Sequence, residues 1–238
     1  QKDKKEYIHQ KGTPGWRSSD TEMFPIIGPT NEADFNVKTA RGTAIQDQHG
    51  LLREMEYTQI SKTESSSIFE KKYIKNTPVP NSKYPEKSTE ENLSWPYDFT
   101  FKKSFNLNDD GLEISFEITG EEGMPFMLGY HPAFNIITKS PMIIAPNKEI
   151  SLEEILAVGN RAMPVLDCKK ITLKDQKSIT IETEGFGNFM LWTEVQNMVC
   201  IEPITFYPYA VDQNKLHTGF QHLQTEEKKF VVKISVAE

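Results

Sequence analysis

Strict alternation of apolar and polar residues dominates this chain, and it leaves few ways to fold. Ile114, Phe116 and Ile118 alternate with Ser115, Glu117 and Thr119. Phe230, Val232, Ile234 and Val236 form a second run, Ile179 and Ile181 a third, and Phe99 and Phe101 a fourth. A period of two puts one side of each segment on a core and the other toward water, as in antiparallel strands. Turn residues punctuate the runs at 108–111, 120–123, 174–177 and 185–187. Short strands with such spacing predict an all-β fold, a large antiparallel β-sandwich or a barrel, rather than βαβ units. Helical pattern is thin. Residues 151–158 read either as a turn or two of helix opened by a Ser151 N-cap or as a strand from Glu149 onward. Residues 78–91 carry Pro78, Pro80 and Pro85 and read as an exposed loop. With no repeat and no linker, residues 1–238 are expected to form a single domain.

Charge and composition exclude several functions. The net charge is −7, so there is no basic field to attract phosphates and no nucleic-acid partner is expected. No run approaches about 18 uninterrupted apolar residues, which argues against a membrane partner or span. The start of the chain has no apolar signal core, and Cys168 and Cys200 lack metal-type spacing. Two reduced thiols in a cytoplasmic protein are the expectation. Nucleophile-elbow, phosphate-loop, zinc-protease and dinucleotide motifs are all missing. No cofactor and no metal are therefore expected.

Two histidines and one glutamate remain as candidates for chemistry. His131 follows the apolar run 124–128 and precedes Pro132, which leaves a ladder because it has no N–H. Glu202 closes the apolar run 199–201, again just before a proline. A carboxylate beside buried strand positions is costly unless it is paired or used. Both groups are expected at strand termini, forming an acid/base pair across a sandwich face. His49 lies in the loop Gln48-His49-Gly50-Leu51-Leu52-Arg53.

Five segments in order resemble the aldose 1-epimerase (galactose mutarotase) superfamily, in its LacX-like branch. They are 24–28 (FPIIG), 48–53 (QHGLLR), 95–99 (WPYDF), 129–134 (GYHPAF) and 200–203 (CIEP). The resemblance implies a twisted antiparallel supersandwich that interconverts the α and β anomers of an aldose without a cofactor. It assigns His131 as the general acid at the ring oxygen and Glu202 as the general base at the anomeric hydroxyl. It also makes His49 a hydrogen-bond partner of the sugar and Arg53 a basic residue near the cleft. Tyr130 and Phe206 are expected to stack on the sugar. Phe134 and Trp192 could do the same, with core packing the weightier expectation for each. The implied partner is a small-molecule sugar, free or phosphorylated, and the implied assembly a monomer or homodimer. A gap on the order of 5–8 Å between His131 and Glu202 is expected, wide enough for a sugar ring. Compared with the family, the chain looks short at its N-terminus, has Pro29 where relatives have arginine, and continues past Pro203 with Ile204. These departures motivate the alternative of a carbohydrate-binding sandwich without turnover.

Overall fold

In the computed structural model, which describes residues 5–17, 21–225 and 227–237, the four alternating runs all pair within one large antiparallel sheet, and a smaller antiparallel sheet packs against it. The larger sheet has nine strands. Its centre is formed by Ser178–Glu184, Glu227–Ala237, Gly111–Gly120, Phe99–Asn108 and Ser66–Tyr73. Asn108 faces Gly111 at a two-residue hairpin, where the Asn108 side chain accepts from the backbone N–H groups of Asp110 and Gly111. Gly111 has φ +144°, and a Cβ there would lie 2.2 Å from the Ile234 carbonyl oxygen, so only glycine fits.

The smaller sheet runs in the order Thr21–Met23, Gly129–His131, Met198–Ile204, Asn188–Trp192 and Met163–Val165. The short strand Ala133–Asn135 also pairs with Met198–Ile204. The sheets meet over one connected hydrophobic cluster. From the larger sheet come Phe101, Phe116, Ile118 and Phe230, and from the smaller Phe189, Leu191, Val199 and Ile201, none more than 1% exposed. Aromatic edges knit the layer, with Phe116 5.2 Å from Tyr130 and Phe186 5.1 Å from Phe230 between ring centres.

Lys103 breaks the apolar pattern of the inner face. Lys103 lies two positions beyond Phe101 and is equally buried. Its Nζ sits 2.5 Å from Glu22 Oε1, and each side chain is 2% exposed. The Tyr57 hydroxyl donates to the other Glu22 oxygen at 2.7 Å. The ammonium also lies over the rings of Tyr130 and Phe105, at 4.9 and 5.0 Å. This ion pair clamps the Thr21–Met23 strand of the smaller sheet to the larger one.

Both readings of the 149–158 segment hold in part. A strand, Lys148–Ser151, ends where the helix Leu152–Val158 begins, and Ser151 caps it reciprocally with Glu154. The 78–91 segment is less free than a simple loop. Val79–Pro80 pairs with Asn92–Leu93, and buried Asn81 donates to Asp47, Ser88 and the Glu90 carbonyl. Cys168 and Cys200 are buried free thiols. Among the described residues no helix is long and apolar enough to cross a membrane.

Candidate active site

Strand register brings the candidate groups together. Gly129 faces Ile204, and Ala133 faces Cys200, so His131 stands across from Glu202. Alternation along Met198–Ile204 then turns Val199 and Ile201 to the core and Met198, Cys200 and Glu202 to the opposite face. Met190 and Trp192, on the neighbouring strand, face Glu202 and Cys200. These side chains line a cleft of about 870 Å³, which Ile27, His49, Arg53 and Tyr209 also border.

His131 Nε2 lies 3.2 Å from Glu202 Oε1. The contact is within ion-pair range, yet Oε1 makes no well-aligned hydrogen bond and is fully buried. Two expectations are corrected here. Glu202 is not at a strand terminus, because the strand continues through Pro203, which faces Phe189, to Ile204. There is also no gap of 5–8 Å for a sugar ring to enter. The two groups touch side by side, with the imidazole side chain 23% exposed above a carboxyl group that is 1% exposed.

His49 reaches the same cleft from a clasp between two of the sequence motifs. Phe24 N–H donates to the His49 carbonyl, and Leu52 N–H donates to that of Phe24. Gly50, at φ +72°, sits so close to Phe24 that a Cβ would lie 2.2 Å from its carbonyl oxygen. The His49 ring nitrogen Nδ1 is 3.0 Å from the Ile27 carbonyl oxygen. A carbonyl can only accept, so Nδ1 carries the proton, and neutral His49 keeps Nε2 as an acceptor. The His49 and His131 rings meet edge to face at 5.5 Å.

Burial sets the protonation of all three groups. It is the main cause that lowers His131 from 6.5 to about 4, with the nearby Arg53 guanidinium as the second cause. Burial likewise holds Glu202 well above the usual carboxylate range. His49 falls well below 6.5 through burial, then through His131 and Arg53. Burial therefore favours the uncharged form of each group, so neutral His131 lies beside a Glu202 carboxyl group biased toward keeping its proton, at two sites 3.2 Å apart.

The other expected residues divide. Arg53 borders the cleft, and its own pKa is lowered by burial. Tyr130 also borders it, but its ring is turned inward onto Phe116 and the Lys103 ammonium, which does not fit stacking on a sugar. Phe206 is outside the cleft lining and packs on Gly219, where a Cβ would meet its ring at 2.3 Å. Phe134 is core, fully buried. Trp192, for which core packing was the weightier expectation, lines the cleft instead, 6.3 Å from His131 and beneath the Arg17 guanidinium at 5.6 Å. Arg17 is held in turn by a two-pronged pair with Glu194. Tyr209 and Met190 were not read from the sequence at all. The signal for Met190 was its place opposite Glu202, which only the strand pairing reveals.

A family model described as aldose 1-epimerase matches residues 34–233, and the chain belongs to this family. Two curated relatives, the chromosomal and plasmid LacX proteins of Lactococcus lactis subsp. lactis, are each 25% identical over 203 residues. That match covers 79% of this chain but only 62% of either relative, so the chain spans less than two thirds of their length. Among solved structures, a galactose mutarotase-like protein from Lactobacillus casei superposes with TM-score 0.75 at 19% identity, covering 97% of this chain and 89% of that one. A galactose mutarotase related enzyme from Lactobacillus acidophilus gives TM-score 0.72 at 20% identity, covering 97% and 87%. At these identities the solved structures establish the fold, a galactose mutarotase-like β-sandwich.

Proposed function

We propose that the chain is a cofactor-independent mutarotase that interconverts the α and β anomers of a hexose or related aldose. The adjacency of His131 and Glu202 at the floor of the cleft carries this reading. Ring opening requires a proton to reach the ring oxygen as the anomeric hydroxyl loses one. Both oxygens are bonded to the same carbon, so an acid and a base lying side by side can address them together, and no ring-wide gap is needed. A sugar above the pair supplies polar partners to the buried carboxyl group. That favours the charge-separated arrangement, in which the shared proton passes from Glu202 to His131. His131 then protonates the ring oxygen while Glu202 removes the hydroxyl proton, and the bond from the anomeric carbon to the ring oxygen breaks. Rotation about the next carbon–carbon bond and reversed proton flow close the other anomer. Acid–base assistance of this kind is commonly worth ~10²–10⁴ in rate.

His49 Nε2 accepts from a sugar hydroxyl, and Trp192 offers a flat apolar face to the ring carbons. Arg53, Lys83 and Lys87 also border the cleft, although the chain as a whole is acidic. Phosphorylated aldoses therefore belong in the substrate class together with free ones. Polarimetry on freshly dissolved α-glucose, α-galactose and a panel of aldose phosphates tests the proposal. Saturable acceleration is expected for at least one of them. Saturable binding by calorimetry with an unchanged anomer exchange rate would overturn turnover and leave a carbohydrate-binding module.

A further inference from the structure

Cys200 has no part in the proton transfers proposed above, yet its position is shaped by the same strand pairing. It stands two residues before Glu202, on the same face, and across from Ala133, which is two residues after His131. His131, Cys200 and Glu202 each offer one donor atom, and these atoms lie within 4.8 Å of one another. The His131–Glu202 separation of 3.2 Å is already that of two donors sharing one small cation. Glu202 Oε1 is fully buried and makes no hydrogen bond, which leaves it available to a ligand at this cluster.

We propose that these three side chains form a binding site for a thiophilic divalent cation of the zinc type. An imidazole nitrogen, a sulfur and a carboxylate oxygen are the donor mixture that zinc takes in a tetrahedral site, at about 2.0–2.3 Å each. Hard cations such as magnesium and calcium require more oxygen ligands than are present here. Binding displaces one proton from the Cys200 thiol and one from the Glu202 carboxyl group. The dication and two anions then sum to zero charge, which suits a buried floor. The fourth position faces the cleft and is open to water or a sugar hydroxyl. A cation held there occupies the lone pairs of both His131 and Glu202. The site is thus also a point of inhibition for the proposed mutarotation, but its existence does not depend on that activity.

Cobalt(II) titration of the metal-free, thiol-reduced protein tests the site, because a cobalt–thiolate bond gives a near-ultraviolet charge-transfer band. One equivalent should develop this band, zinc should erase it, and magnesium should leave it unchanged. The band should vanish in Cys200→Ser, and zinc affinity by calorimetry should fall at least about tenfold in both Cys200→Ser and His131→Gln. Circular dichroism checks that both variants are folded. If the wild type shows no thiolate band, or the band survives in Cys200→Ser, the proposal is overturned. Zinc affinity unchanged in His131→Gln also overturns it, by placing the metal elsewhere. None of these readings requires turnover, so their failure is distinct from failure of the mutarotase proposal.

Discussion

His131 and Glu202, 71 positions apart in the chain, touch through Nε2 and Oε1 at 3.2 Å because antiparallel register sets their strands side by side. The contact makes them one titrating unit rather than two independent catalysts. Replacing either member with a neutral group of similar shape, His131→Asn or Glu202→Gln, should lower the anomer exchange rate by ~10²–10⁴. Because the members act together, the double variant should be little worse than either single one, which polarimetry on all three proteins will measure.

Arg53 is one cause of the lowered pKa of His131. Arg53→Met should therefore move the His131 titration upward from about 4 toward 6.5, as followed by the ring proton shifts in NMR. The same variant should bind phosphorylated sugars less tightly than the wild type while losing less affinity for neutral ones.

Stability should depend on acid through His131. Below about pH 6.5 the unfolded chain's imidazole takes up a proton, whereas the folded one resists protonation until about pH 4. Across that window the unfolded state binds more protons, so stability falls as pH falls. The separation between 6.5 and about 4, at 1.36 kcal/mol for each pH unit, sets an upper bound of about 3–4 kcal/mol. Glu202 acts in the opposite sense. Its raised pKa gives stability that is present at low pH and is lost as pH rises through the folded value. Urea unfolding should accordingly show a flatter acid limb in His131→Asn and a flatter alkaline limb in Glu202→Gln.

The Glu22–Lys103 clamp should be costly to break from one side. Lys103→Met leaves the Glu22 carboxylate buried with the Tyr57 hydroxyl as its one remaining hydrogen-bond partner among the described residues, and a loss of about 3–5 kcal/mol is expected. Adding Glu22→Gln removes the stranded charge and should restore much of that loss, measured by urea unfolding of both proteins.

The sandwich was legible because its strands carry a period of two. Phe99, Phe101, Ile114, Phe116, Ile118, Phe230 and Val232 all face the core as the alternation requires. The pattern could not announce Lys103, since its ammonium is tolerated on the inner face because Glu22, from the other sheet, meets it. His131, Glu202, His49 and Arg53 were identified as candidates, and the cleft contains all four. Their spacing was misjudged, because register between distant strands has no local signature. The same limit explains Tyr130 and Trp192. Which face of a strand is wet depends on what packs behind it, so Tyr130 turned inward and Trp192 turned to the cleft against the initial expectation.

The one-proton His131–Glu202 pair is the centre of this account, and anomer exchange measured by NMR magnetisation transfer probes it most directly. At equal folded fraction, on the sugar most accelerated by the wild type, Glu202→Gln should bring the exchange rate down to within a few-fold of the uncatalysed reaction. A Glu202→Gln protein that exchanges anomers as fast as the wild type would contradict it.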